Sequence, residues 1–291
     1  MTEKYVLITP AKNEESNIAK TIESVIKQTI KPLEWVIVSD GSTDNTDTII
    51  QSYCKDYSFI KYKRNESPAL KNFSSKVNAF NIGLKALDAL DYSFIGNLDA
   101  DISFEAGYFG EILSRFEKMS DLGVAGGLVY EVHKEKIRPL RISFNSVSGA
   151  VQLFRKECFE TIGGYIPIKM GGIDSAAEIC ARAKGWKVQT FKELPVYHHG
   201  PVLTGNKNPV RTSYQRGYNK YLLGYHPLFH LISCISLIPQ KPYLIGATCS
   251  IFGYLRAALN KKDLVLPDDV VAYLRKEQLY RLKNLCMGDS K

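Results

Sequence analysis

Tyr92-Ser93-Phe94-Ile95-Gly96-Asn97-Leu98-Asp99-Ala100-Asp101 is the stretch on which the fold turns. Tyr92 to Gly96 reads as a strand, and two carboxylates follow it at the point where an open α/β sheet binds its ligands. Carboxylate oxygens suit hard divalent cations such as Mg2+ or Mn2+. Such a cation bridges two phosphates and neutralises a departing diphosphate. Taken alone, an Asp-x-Asp triplet also fits an ordinary solvated loop, so the neighbouring elements have to decide.

Upstream, Tyr5 to Thr9 is a β-branched run ending at Pro10, and Ile18, Ile22, Val25 and Ile26 then recur at helical spacing. Glu34 to Ser39 repeats the strand pattern, turns through Asp40, Gly41 and Ser42, and enters a second helix for which Asp44 is the expected N-cap. Phe59 to Lys63 and Val124 to Tyr130 add strands, and Ser75 to Leu87 a helix. Strands alternating with helices predict an α/β fold with a mostly parallel central sheet flanked by helices. The loops Thr9 to Glu15 and Ser39 to Asp44 would then open on the same sheet edge as Asp99. An aspartate such as Asp40 is able to accept the N3 hydrogen of a uracil, and Glu14 to meet base or ribose. Residues 40–44 also satisfy a plain turn and helix cap, and the two readings are compatible.

The length of 291 residues and 45% hydrophobic content suit one α/β domain with an appendage and exclude global disorder. Thirty-eight basic against 30 acidic residues give a net charge of +8, which favours phosphate-bearing substrates, anionic lipid or nucleic acid. The six cysteines are scattered without a CxxC pair, and MTEKYVLITP has no signal-peptide pattern; reduced thiols in a cytoplasmic chain are expected. From about Arg211 the texture becomes aromatic and apolar. Leu228 to Ile238 and Tyr243 to Leu255 are too short to span a bilayer, being separated by Pro239 to Pro242 and closed by Arg256. They predict a helical hairpin at a membrane's inner face or, with equal weight, an appendage packed on the domain or on a second copy of the chain. The tail after Pro267 reads as an amphipathic helix. Residues 1–205 are the expected catalytic domain and 206–291 the C-terminal helical, apolar appendage.

With Pro10 to Glu15, Asp40 to Asp44, Lys76 to Gly83, Asp99 to Asp101, Phe154-Arg155, Gly163-Gly164-Tyr165 and Gly172 to Trp186 in this order, the chain resembles glycosyltransferase family 2, whose members share the GT-A nucleotide-diphospho-sugar transferase fold. The resemblance covers roughly residues 4–200. It implies that Pro10, Ala11, Glu14 and Asp40 hold the nucleoside, that Lys76 lies near base or phosphates, that Asp99 touches ribose and metal, and that Asp101 binds the metal. It further implies a nucleotide-sugar donor, a UDP-sugar in the first instance, a glycan or lipid-linked acceptor, and Mn2+ or Mg2+ as cofactor.

Family members carry Glu-Asp at the start of the helix before Gly185-Trp186, and Asp174 stands at the matching position. Inverting transfer needs a carboxylate there to take the acceptor hydroxyl's proton. Ile173 in place of the family's Glu, and Cys180 where an Arg is usual, are departures that leave open a second reading, an inactive GT-A binding or scaffold protein. Glu178 is expected to form an i to i+4 ion pair with Arg182. Of Tyr197-His198-His199-Gly200, His198 is slightly favoured as the imidazole completing the metal shell. His226 and His230, in the apolar appendage, are expected to have a packing or interface role. Arg211, Arg216 and Lys220 would meet the diphosphate, lipid headgroups or only solvent, and Arg138 to Arg141 could lie near the acceptor, with no chemical reason in the sequence to prefer that. A nucleotidyltransferase would show a Gly-rich basic loop after the first strand, which Pro10 to Ser16 is not. A nucleic-acid partner is disfavoured because the acidic loops would repel phosphate without a metal.

Overall fold

The computed structural model describes residues 4–66, 73–133, 136–140, 143, 145–200, 208–236, 238 and 243–287. Arg141, the Pro239 to Pro242 separator and the expected boundary at 205 lie outside them. In chain order the elements are β1 (Tyr5–Ala11), α1 (Ile18–Ile26), β2 (Glu34–Ser39), α2 (Thr46–Asp56), β3 (Ile60–Arg64), α3 (Phe73–Lys85), β4 (Phe94–Leu98), β5 (Ile102–Phe104), α4 (Tyr108–Lys118), β6 (Leu122–His133), β7 (Lys136–Pro139), β8 (Val151–Arg155), α5 (Lys156–Thr161), α6 (Ile173–Ala183) and β9 (Lys187–His198). Four more helices follow: α7 (Pro209–Leu222), α8 (Pro227–Ile235), α9 (Leu244–Leu259) and α10 (Asp268–Met287). They divide into two units, residues 1–169 with 173–202, and residues 170–172 with 203–291.

In the first unit the sheet runs β3-β2-β1-β4-β8-β6-β9-β5, with β7 beside β6. The strands β3, β2, β1 and β4 are parallel. Beyond β4 the sheet is mixed: β8 is antiparallel to both β4 and β6, β9 is parallel to β6, and β5 antiparallel to β9. The sequence pattern identifies the parallel half because its strands are sealed on both faces and read as continuous apolar runs. Tyr5 to Ile8 and Trp35 to Val38 are almost wholly buried. One face packs α1 and α4 through Ile18, Ile22, Phe109 and Phe116; on the other, Ala79 of α3 meets Val36 and Val38. Chain order reverses between β1 and β4, so the crevice at their carboxyl ends is the topological switch point where open α/β sheets bind ligands.

The expected cap of α2 needs a correction of one residue. Asn45 occupies the N-cap position, yet it makes no capping bond with its side chain. Asp44 supplies that bond from one residue earlier, accepting from the Thr46 amide at 3.0 Å.

The second unit is all helical in its described residues. Among the described residues no helix is long and apolar enough to cross a membrane. Lys220 lies among residues of the helical unit. Its ammonium lies 3.4 Å from Ser233 Oγ and over the Tyr225 ring, and burial lowers its pKa. His226 accepts from the Leu228 amide through Nδ1 and so caps α8. His230 is buried and stacked 4.7 Å from Tyr254. Both histidines therefore pack inside the helical unit.

Candidate active site

Two loops leave the parallel strands side by side and lock together. Asn13 takes a left-handed φ of 57°, which asparagine tolerates better than most residues. Its side-chain oxygen accepts from the Thr43 amide at 2.8 Å while its own amide donates to Ser42 Oγ. The Glu14 amide donates to Thr46 Oγ1 at 2.7 Å, and the Asp40 amide donates to Ala11 O at 2.8 Å. Pro10 and Ala11 thus end β1 level with Val38 and Ser39 of β2. Asp40 is buried, accepts from Asn65 Nδ2 at 2.7 Å and has Lys12 Nζ at 3.6 Å.

Asp99 and Asp101 stand just past β4. Asp99 is fixed through its amide, which donates to Ala150 O at 2.9 Å, and its Oδ1 lies 2.5 Å from Lys76 Nζ. Asp101 is buried, with its Oδ1 3.4 Å from His198 Nε2. His198 closes β9, and its Nδ1 lies 2.9 Å from Gly200 O. A carbonyl only accepts, so Nδ1 carries the proton there, which aims Nε2 at the aspartates. The neighbouring His199 bonds to Ser103 Oγ at 2.7 Å instead. The structure therefore brings His198 to the acidic pair and leaves its neighbour on β5.

One ligand atom each from Asp99, Asp101 and His198 lie within 4.8 Å of one another. Burial first, and the Asp99 charge second, push the Asp101 carboxyl up to about 6. Glu14 rises to about 7 for similar reasons, burial first and then Asp101, with Asp99 adding to it. Carboxylates crowded in this way are short of positive charge. Two carboxylate oxygens and an imidazole nitrogen fit a divalent cation with positions left over for other oxygens, and they do not distinguish Mn2+ from Mg2+.

Asp174 lies in the first turn of α6 and rests against Gly149. A Cβ built on Gly149 would come within 2.9 Å of Asp174 Oδ2, so only glycine lets the carboxylate approach. The carbonyl of the same Gly149 accepts from Asn97 Nδ2 at 2.6 Å and from Lys76 Nζ at 3.3 Å. Asp174 is therefore separated from the Lys76–Asp99 pair by the width of one glycine. Ile173 beside it is buried.

Glu178 does more than the expected pairing with Arg182. Its side chain turns inward, and Oε1 accepts from the Val147 amide at 2.6 Å and Gln152 Nε2 at 3.0 Å, while Oε2 bonds Ser146 Oγ at 2.7 Å. Burial, followed by the Asp174 charge, raises its pKa to about 8; Arg182 acts in the opposite direction but is a smaller influence. One helical turn beyond Asp174, Glu178 thus ties down the loop that carries Gly149. Helical spacing alone suggested an ion pair because α6 is amphipathic, and which face it buries is a tertiary matter. Asn97 and Gln152 were also missed, although Asn97 stands only two residues before Asp99.

An imidazole and two aspartates at the carboxyl ends of an open α/β sheet, with a lysine and a helix-borne aspartate nearby, suit a phosphate-rich ligand held through a divalent cation. Residues 6–176 match the family model described as glycosyl transferase family 2. That is more than half of the chain, which belongs to this family. The chain is 28% identical over 272 residues to an uncharacterized glycosyltransferase of Rickettsia felis, covering 90% of this chain and 41% of that protein. It is 27% identical over 174 residues to the poly-beta-1,6-N-acetyl-D-glucosamine synthase of Staphylococcus epidermidis, covering 52% and 39%. The chain spans about two fifths of the length of these curated relatives. Similar solved structures include S. aureus TarS 1-349 in complex with UDP-GlcNAc, with a TM-score of 0.58 at 14% identity, covering 88% of this chain and 73% of that one. The mannosyltransferase PcManGT from Pyrobaculum calidifontis, in complex with GDP-Man and Mn2+, has a TM-score of 0.57 at 16% identity, covering 98% and 88%. At such identities the likeness is one of fold.

Proposed function

We propose that the chain transfers a sugar with inversion from a nucleotide-sugar, a UDP-sugar in the first instance, to the hydroxyl of a glycan or lipid-linked acceptor. The observation that carries this reading is the convergence of Asp99, Asp101 and His198 beside Lys76, with Asp174 across Gly149. Residues 1–205 would carry the transfer, and 206–291 would form a helical appendage at the inner face of a membrane. A homodimer is compatible with this arrangement.

Each residue then has a role. Pro10, Ala11, Glu14 and Asp40 hold the nucleoside, with Asp40 accepting from the base. Lys76 offers its ammonium to the phosphates and Asp99 faces ribose and cation. Asp101, Asp99 and His198 would hold Mn2+ or Mg2+, and the cation would supply neutralisation of the diphosphate's charge. Asp174 takes the proton from the acceptor hydroxyl as that oxygen bonds to the anomeric carbon from the side opposite the diphosphate. The bond from the anomeric carbon to the phosphate oxygen breaks, and its electron pair leaves with the nucleoside diphosphate. UDP-GlcNAc in the TarS complex and GDP-Man with Mn2+ in the mannosyltransferase support a nucleotide-sugar and a divalent cation without choosing the base.

Calorimetry with UDP and with GDP, each with and without Mn2+, tests the donor site. Manganese-dependent UDP binding that is abolished by Asp101→Ala is the expected result. If neither nucleotide binds under any metal condition, the reading fails. Ile173, where family members carry Glu, favours one alternative, a GT-A protein that binds donor without turnover. Donor binding with no release of UDP in the presence of any acceptor would select it.

A further inference from the structure

Within the helical unit, α8 and α9 are built inside out, whereas α10 buries Val270, Val271, Leu274 and Leu282. In α9 the buried positions are small or polar, Gly246, Ala247, Ser250, Gly253 and Ala257 along with Tyr254, whereas Leu244, Ile245, Phe252, Leu255 and Leu259 are exposed. In α8 the buried residues are His230 and Cys234, and Leu228, Leu231, Ile232 and Ile235 face outward. A surface helix in water places its large aliphatic side chains the other way round. Of the 18 exposed large hydrophobic side chains among the described residues, 11 fall between 228 and 259.

The cause is the closeness of α7 and α9. A Cβ on Gly217 would lie 1.7 Å from Ser250 O, and one on Gly253 would lie 2.1 Å from Tyr214 O. Backbones this close leave no room for leucine or phenylalanine between them, so the large side chains are displaced to the outside. Small residues at a helix interface with large apolar residues outside is the packing used where the surroundings are lipid.

Charge points the same way. Residues 203–291 hold 13 Lys or Arg and 5 Asp or Glu, so the entire net charge of +8 resides there. No acidic residue occurs between Glu193 and Asp263. Arg256, Lys261 and Lys262 are exposed at and just past the end of α9, beside Leu255 and Leu259. Sixteen residues make α9 about 24 Å long, too short to cross a bilayer.

We propose that the outward faces of α8 and α9 lie in the headgroup region of an anionic lipid bilayer, with their aliphatic side chains at the acyl boundary and Arg256, Lys261 and Lys262 against the lipid phosphates. This deepens the membrane-face reading of residues 206–291 and does not depend on the transfer chemistry. A second copy of the chain is the weaker occupant. It would bring the same acid-free basic surface, and like charges would be opposed across the contact.

Co-sedimentation of the full chain with phosphatidylcholine vesicles, with and without phosphatidylglycerol, tests the proposal. The expected result is binding to the anionic vesicles that weakens with salt. Arg256→Glu with Lys261→Glu and Lys262→Glu should weaken it at least about tenfold, and Phe252→Glu with Leu255→Glu should abolish it. Manganese-dependent UDP binding should be unchanged in both variants, which keeps this test separate from that of the transfer reading. No binding to anionic vesicles at low salt would overturn the proposal. So would a wild-type dimer in light scattering that Phe252→Glu with Leu255→Glu converts to monomer, which would assign the face to a second copy.

Discussion

The two units follow opposite rules. The first carries equal numbers of acids and bases, 25 of each; its largest side chains are in the core, and a set of its buried polar groups, Asp40, Asn97, Asp101 and His198, is held by partners at the site edge of the sheet. The second carries all the net charge; its α8 and α9 keep small or polar residues inside and expose their aliphatics, while α10 buries Val270, Val271, Leu274 and Leu282. A protein that buries carboxylates has to supply donors or cations for them, and the first unit does so around Asp40, Asp99, Asp101 and Glu178. The second unit has no comparable set of buried acids. Its chemistry is that of a surface, and its packing is decided by backbone approach.

The largest break of this contrast should come from Asp174→Asn. Transfer is expected to fall by roughly 10²- to 10⁴-fold, with UDP affinity unchanged by calorimetry, because the amide cannot take a proton. The paired Phe252→Glu and Leu255→Glu changes should leave turnover on a soluble acceptor intact.

Gly217→Val should destabilise the helical unit by about 3 kcal/mol or more, since the added carbons meet the backbone of Ser250 rather than a movable side chain. Urea unfolding followed by far-UV circular dichroism measures this, and the fluorescence of Trp35 and Trp186 in the first unit should shift little. A single coincident transition for both probes would show instead that the units unfold together.

Within the first unit, Glu178→Ala should cost roughly 2–3 kcal/mol by leaving the Val147 amide without its acceptor and Gln152 Nε2 with only Val147 O. The same change should lower turnover more than nucleotide affinity, because the loop it frees carries Gly149 against Asp174. The pH dependence has a definite sign. With a folded pKa near 8 against about 4.3 in an unfolded chain, the folded state holds the extra proton. Glu178 therefore opposes folding progressively as pH rises through that window. Glu178→Gln should remove this slope in thermal melts between pH 5 and about 8.

The smallest effect belongs to His230, whose folded pKa falls to about 4, by burial first and then by Lys220. A base with a depressed pKa loses stability as pH drops from its unfolded value, about 6.5, toward the folded one. The helical unit should weaken over that range, and His230→Phe should be flatter when melts at the two ends are compared.

The sequence by itself determined the parallel half of the sheet, the loops at its carboxyl edge, and the family. β1, β2 and β4 are continuous apolar runs whose ends are marked by Pro10, Asp40 and Asp99, and a chain cannot bury such runs without making them strands. It also determined that the appendage is helical and apolar without being long enough to span a membrane. The mixed half of the sheet was less legible, because β8, β6 and β9 pair across long sequence separations that no local pattern encodes. Only the tertiary structure decided that His198 faces the aspartates, since adjacent strand residues point to opposite faces and the register of β9 selects one. It also decided that Glu178 turns inward, and that Leu244, Phe252 and Leu259 turn outward. Periodicity marks which residues share a face of a helix, but the neighbour that comes closest, here the backbone of α7 against α9, determines which face is covered.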